Sequence, residues 1–163
     1  MLTNITSDNF ILFDISKIYE FSQNKVIIIA DDNYQLRKSL TNLILTCNSD
    51  IPINEYMIIQ ACDGIDILKI VMDLQGCNKE IKLLITDEAM EFFDGSKAVS
   101  IIKELRNTIQ LSRFPIISHT AFVDELFHQN LLSKGVDLVY TKPMSKNQMK
   151  ILLNKIHNQD FYC

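Results

Sequence analysis

Five short, mostly apolar runs, each followed by an amphipathic stretch, leave this chain few ways to fold. The runs cover residues 26–30, 56–61, 82–86, 115–119 and 136–140. They lack the in–out alternation of a half-exposed strand and read as strands buried on both faces, as in a parallel sheet. Between them the apolar residues recur at helical spacing. Leu36, Leu40, Leu43, Ile44 and Cys47 make one face. Ile67, Leu68, Val71 and Met72 make a second, and Ala98, Ile101, Ile102 and Leu105 a third. The stretch 123–132 is shorter and less regular, while Met149, Leu152, Leu153 and Ile156 follow a capping-box signature, Ser145-x-x-Gln148. Strand–helix alternation of this kind predicts an α/β domain, a parallel sheet with helices on both faces joined by right-handed crossovers.

Such sheets bind ligands at the carboxyl ends of their strands, so the residues that follow each run carry the functional information. Asp31 and Asp32 follow the first run, Asp87 the third, Thr120 the fourth and Lys142 the fifth. Each has a bland reading by itself. Two aspartates after a strand can cap the next helix, and Asp87 can be a turn residue before Gly95. Thr120 suits a strand end, and Lys142 before Pro143 suits a solvated turn. Their joint placement overrides those readings. Clustered carboxylates repel one another unless a cation sits among them, and Mg²⁺ (or Mn²⁺) prefers such hard oxygen ligands. With the metal bound, one carboxylate oxygen can attack phosphorus.

The pattern resembles the receiver domains of two-component and phosphorelay systems across residues 25–158. The resemblance rests on Ile27-Ile28-Ile29-Ala30-Asp31-Asp32-Asn33, Leu83-Leu84-Ile85-Thr86-Asp87, Phe93-Asp94-Gly95, Pro115-Ile116-Ile117-Ser118-His119-Thr120-Ala121 and Thr141-Lys142-Pro143, with Ala61-x-x-Gly64-x-Asp66-Ile67-Leu68 in support. It implies a flavodoxin-like doubly wound (βα)5 fold, its five-stranded parallel sheet in the order 2-1-3-4-5. It also implies roles. Asp87 would accept a phosphoryl group from the phosphohistidine of a histidine kinase or histidine phosphotransfer protein. Asp31, Asp32, Asp87 and the backbone carbonyl of Ala89 would hold the metal. Thr120 would bond the phosphoryl group and move toward it as a switch. Lys142 would pair with Asp87, and the Lys142–Pro143 peptide would be cis. The donor would dock on the first helix, whose outward positions are expected to include Tyr34, Arg37, Lys38 and Thr41.

Three positions depart from the family's commonest pattern. Glu91 stands where a proline usually follows the acceptor, which would loosen that loop. Val139 stands where an aromatic often reports the switch, and Tyr140, one place on, should face the other side of the sheet. Ala89 and Phe122, two residues beyond Asp87 and Thr120, cannot hydrogen-bond a water, which predicts slow loss of the phosphoryl group.

Composition narrows the remaining classes. A net charge of -4 argues mildly against nucleic acid, whose phosphates need a basic face that the sequence does not make evident. Cys47, Cys62, Cys77 and Cys163 are scattered, as expected of reduced thiols in a cytoplasmic protein rather than a zinc site or disulfide framework. No signal peptide and no membrane-spanning run is evident. Residues 1–24 are expected to be an extension or linker and 159–163 a short tail. Ile11, Ile15, Ile18 and Tyr19 could line a helix, although residues 10–13 could equally be extended. His119 reads as a structural core residue. Three rivals are weaker. An aspartate-nucleophile phosphatase would carry a second carboxylate where Ala89 stands, and a nucleotide-binding protein would need a glycine-rich loop, whereas the chain has only four glycines. A scaffold without phosphorylation would have no use for the intact set of five polar groups.

Overall fold

The computed structural model describes residues 11–12, 22–47, 51–77 and 79–162. Among these residues six strands, β1 (Ile11–Leu12), β2 (Lys25–Ala30), β3 (Tyr56–Ala61), β4 (Glu80–Thr86), β5 (Ile116–Thr120) and β6 (Leu138–Thr141), form one sheet in the order β1-β3-β2-β4-β5-β6. Every pairing in it is parallel. The five strands expected from the sequence, β2 to β6, therefore run in the order second, first, third, fourth, fifth. Strand β1 is an addition at the edge, pairing Ile11 with Ile59 and Leu12 with Gln60. It settles the two readings of this segment in favour of extended chain at Ile11–Leu12, whereas Ile15, Ile18 and Tyr19 lie outside the described residues. Strand boundaries also move by one or two residues. Strand β4 starts two residues early at Glu80, β5 takes in Thr120, and β6 begins at Leu138 rather than at 136.

The central strands are apolar because helices cover both of their faces. Successive residues of β2 point to opposite sides. Val26, Ile28 and Ala30 enter a core with Ile67, Val71, Ala98, Ile102 and Leu131, whereas Ile27 and Ile29 enter another with Leu40, Ile44, Met149 and Leu152. Helices α1 (Tyr34–Thr46) and α5 (Lys146–His157) thus cover one face, and α2 (Gly64–Gln75), α3 (Gly95–Thr108) and α4 (Glu125–Lys134) the other. Each fully buried isoleucine or leucine contributes on the order of 1.5–3 kcal/mol relative to exposure.

Local signals set the helix ends. Asn33 caps α1, its side chain accepting from the Gln35 and Leu36 amides. The expected capping box of Ser145 and Gln148 is present at the start of α5. Helix α4, the irregular one, runs from the Asp124 cap to Gly135, whose φ of 112° is left-handed. It buries Leu131 alone and leaves Leu126 76% exposed, so it is the least firmly anchored of the helices described.

One glycine of the Phe93-Asp94-Gly95 motif ties the fold to the strand-end residues. Helix α3 begins against the backbone of Asp87, with the Gly95 amide donating to the Glu88 carbonyl at 3.0 Å. A Cβ at position 95 would overlap the Asp87 carbonyl and come within 2.6 Å of Thr86 Oγ1. Because the obstacle is backbone, it cannot swing aside. Gly95→Ala should lower stability by about 1–3 kcal/mol, read as a lower urea midpoint with an unchanged slope.

Candidate functional site

The strand ends are brought to one edge by backbone bonds that run past the last paired residues. The Asp31 amide donates to the Ala61 carbonyl (3.3 Å), the Asp87 amide to the Ala30 carbonyl (2.8 Å), and the Lys142 amide to the Thr120 carbonyl (2.8 Å). These bonds set Asp31, Asp87 and Lys142 side by side although 111 residues separate the first from the last. Because Asn33 supplies the helix cap, neither Asp31 nor Asp32 is needed for it.

Asp31, Asp32 and Asp87 each offer a carboxylate oxygen, and these atoms lie within 4.8 Å of one another. Asp31 and Asp87 are buried while Asp32 is exposed, giving the group one open side. The Lys142 ammonium donates to Asp31 Oδ2 and to Asp87 Oδ2, both at 2.7 Å. Burial disfavours its charged form, but the two carboxylate hydrogen bonds outweigh that and hold its pKa above the usual lysine value. Burial pushes the Asp87 pKa up, opposed by the Lys142 bond and assisted by the neighbouring Asp31 charge. One cation for three carboxylates leaves excess negative charge at an opening. An all-oxygen donor set of this kind suits a hard divalent ion such as Mg²⁺ or Mn²⁺.

Thr120 ends β5 fully buried, with its hydroxyl accepting from the Phe122 amide at 3.2 Å. Phe122 is half exposed; its ring lies 4.7 Å from that of Phe127, and its carbonyl is 2.7 Å from His128 Nε2. Val139 packs into the core on the α2–α4 side and Tyr140 into the opposite one, as the strand alternation requires. The Lys142–Pro143 peptide is cis. Ala89 is exposed in the loop after β4. Its neighbour Glu88 accepts from the amide and hydroxyl of Ser96, taking the place of a side-chain cap on α3, where Asp94 makes no such bond.

Half of the expected docking set is corrected. Tyr34 and Lys38 are exposed on α1, but Arg37 and Thr41 are buried against β3. Helical spacing from Leu36 places Arg37 and Leu40, Thr41 and Ile44 on the sheet-facing side, and a polar residue there is accepted only because it finds partners. Its Nη1 donates to the Asp31 and Asp32 carbonyls, and its Nε to Gln60 Oε1. Gln60 Nε2 donates to Thr41 Oγ1 at 3.1 Å, and Thr41 Oγ1 to the Arg37 carbonyl at 2.8 Å. Gln60 escaped notice in the sequence; its one signal was an amide inside an otherwise apolar strand.

No family model matches the chain. Among curated proteins it is 27% identical over 131 residues to the peroxide stress-activated histidine kinase mak2 of Schizosaccharomyces pombe, covering 80% of this chain and 5% of that one. It is 25% identical over 128 residues to the two-component response regulator-like protein APRR7 of Arabidopsis thaliana, covering 78% of this chain and 16% of the other. The chain thus spans a small part of each. Among solved structures, a two-component response regulator from Cytophaga hutchinsonii aligns with a TM-score of 0.69 at 16% identity, covering 83% of this chain and 98% of that one. A chain of the CheX–CheY–BeF3–Mg complex from Borrelia burgdorferi aligns with a TM-score of 0.66 at 19% identity, covering 85% of this chain and 93% of that one. The receiver domain of Francisella response regulator 1452 aligns with a TM-score of 0.60 at 21% identity, covering 83% and 98%. The chain has the fold of a response-regulator receiver domain. In receiver terms the acidic group sits at the carboxyl edge of the first and third strands of the five-stranded unit, with Lys142 from the fifth. Among the described residues no helix is long and apolar enough to cross a membrane.

His119 lies behind this edge, 4% exposed, its Nε2 accepting from the Met144 amide at 3.2 Å. Burial, with the Lys142 charge, lowers its pKa from 6.5 to about 4. The unfolded chain therefore takes up this proton first. The neutral imidazole's stabilising contribution is complete above about pH 6.5 and is lost as pH falls toward 4. His119→Gln, which keeps an acceptor but does not titrate, should flatten the fall in stability across that window, measured by urea unfolding at a series of pH values.

Proposed function

We propose that this receiver-fold chain is a phosphoacceptor in two-component or phosphorelay signalling, with Asp87 as the acceptor. The observation that carries the reading is the trio of carboxylates within 4.8 Å of one another at the strand ends, with Lys142 bridging two of them. In the reaction an Asp87 carboxylate oxygen attacks the phosphorus of a phosphohistidine. The new O–P bond forms as the P–N bond breaks, and the imidazole leaves with the bonding pair and takes a proton from water. Asp31, Asp32, Asp87 and the Ala89 carbonyl would hold Mg²⁺ or Mn²⁺, whose charge would neutralise the phosphoryl oxygens.

The other roles belong to the chain's own groups. Lys142 orients Asp87 in the resting state and would transfer its hydrogen bond to a phosphoryl oxygen. Thr120 would give up the Phe122 amide and donate its hydroxyl to the phosphoryl group, moving the loop after β5. That loop is held by the Phe122–Phe127 ring contact and by His128, and α4 behind it is weakly anchored, so it is suited to move. The donor is a histidine kinase or histidine phosphotransfer protein, for which Tyr34 and Lys38 on α1 remain accessible. Self-phosphorylation and slow self-dephosphorylation would be the whole of its catalysis, without turnover of an external substrate.

Incubation with Mg²⁺ and acetyl phosphate should add one phosphoryl mass to the intact chain, and Asp87→Asn should abolish it. Absence of an adduct while Mg²⁺ binds would instead favour a phosphorylation-independent scaffold, and steady turnover of small phosphomonoesters a phosphatase. Ala89 and Phe122 present no group that could align a water at the acyl phosphate. Replacing them with Asn and Glu should shorten the phosphoryl lifetime by up to about a hundredfold, the lower end of what a positioned acid–base group supplies; an unchanged lifetime would remove this account of slow loss.

A further inference from the structure

The buried arginine of α1 has no counterpart in the roles assigned so far. Arg37 is 4% exposed, yet its close partners are carbonyl oxygens rather than carboxylates. Its Nη1 lies 2.6 Å from the Asp31 carbonyl and 3.2 Å from the Asp32 carbonyl, while its Nε lies 3.4 Å from Gln60 Oε1. A guanidinium kept from water without an ion pair is costly, so the arrangement calls for an explanation.

The explanation lies in what those carbonyls carry. Asp31 is held independently: its amide bonds the Ala61 carbonyl, Oδ1 accepts from the Asn33 amide, and Oδ2 accepts from Lys142. Asp32 has none of this support, since its carboxylate makes no hydrogen bond among the described residues and is exposed. Its direction is set by its backbone alone, and Arg37 grips the peptide planes on both sides of it. Gln60, itself buried and fastened to Thr41, holds the guanidinium in register from β3.

We infer that Arg37, locked by Gln60, is the positioning residue that aims Asp32 at the divalent ion. This rests on the metal-binding reading of Asp31, Asp32 and Asp87 given above. Two donor atoms must reach three acceptors on two elements, a task for the arginine fork that a lysine point charge does not perform. The positive charge also lies behind an acidic cluster, so charge and geometry have to be separated in any test.

Arg37→Lys makes that separation by keeping the charge and removing the fork. Mn²⁺ binding to the full chain, followed by the electron paramagnetic resonance signal of free Mn²⁺, should weaken about tenfold in this variant, as for other residues that orient metal ligands. Gln60→Met, which leaves Arg37 in place but unfastened, should weaken it by a smaller factor. Ile156→Val, a core change away from this network, should lower the melting temperature without altering Mn²⁺ affinity, and circular dichroism checks that each protein is folded at the temperature used. Wild-type affinity in folded Arg37→Lys would overturn the inference. If that variant does not fold, wild-type affinity in Gln60→Met would overturn it equally. Absence of Mn²⁺ binding by the wild-type chain would instead remove the metal site itself, and this inference with it.

Discussion

In a parallel sheet covered by helices on both faces, a charged side chain can leave the core only where a strand ends. Val26–Ile29 of β2 and Leu83–Ile85 of β4 are isoleucine, leucine and valine for that reason, and the change to Asp31 and to Asp87 comes within one residue of each strand's end. The same rule that keeps carboxylates out of the covered part of the sheet concentrates them at its carboxyl edge. Like charges then meet at close range, and the edge is stable only if something balances them. Lys142, 2.7 Å from Asp31 and from Asp87, supplies part of that balance.

The surrounding structure answers to this crowding. Gly95 has no side chain because α3 must start against the Asp87 carbonyl. Asn33 caps α1 and leaves both neighbouring aspartates uncommitted. Glu88 turns away from the acidic group to bind Ser96 at the start of α3, so a fourth carboxylate next to Asp87 does not add to the repulsion there. Arg37 places a second positive charge behind Asp31 and Asp32, reached only through their carbonyls. Against this rigid side stands a loose one. The loop holding Phe122 and the α4 helix behind it bury little, and that loop is joined to Thr120 through the Phe122 amide.

Much of this was legible in the linear sequence. The five apolar runs and their helical spacers were enough to anticipate a parallel sheet covered on both faces, and the polar residues after the strands assembled Asp31, Asp32, Asp87, Thr120 and Lys142 as candidates; the order of the strands came from the resemblance to receiver domains. Arg37 and Thr41 show where such reading fails. Arginine and threonine on a helix near a site look like a solvated face, because burying a guanidinium is ordinarily too costly. Here Gln60, from a strand 23 residues away, lowers that cost, and no local pattern announces a partner so distant.

The sequence by itself determined the class of fold and the residue types gathered at its edge, because periodicity and strand-end placement depend on neighbours along the chain. The tertiary structure decided everything that depends on neighbours in space. It added Ile11–Leu12 to the sheet edge beside β3, which two residues of extended chain cannot do without an existing strand to bond. It let Lys142 bridge two carboxylates far from it in sequence, and it converted half of a supposed docking face into an internal brace for the acidic turn. Hydrogen bonds between distant side chains are specified by where the backbone finally lies, and that position exists only once the sheet has formed.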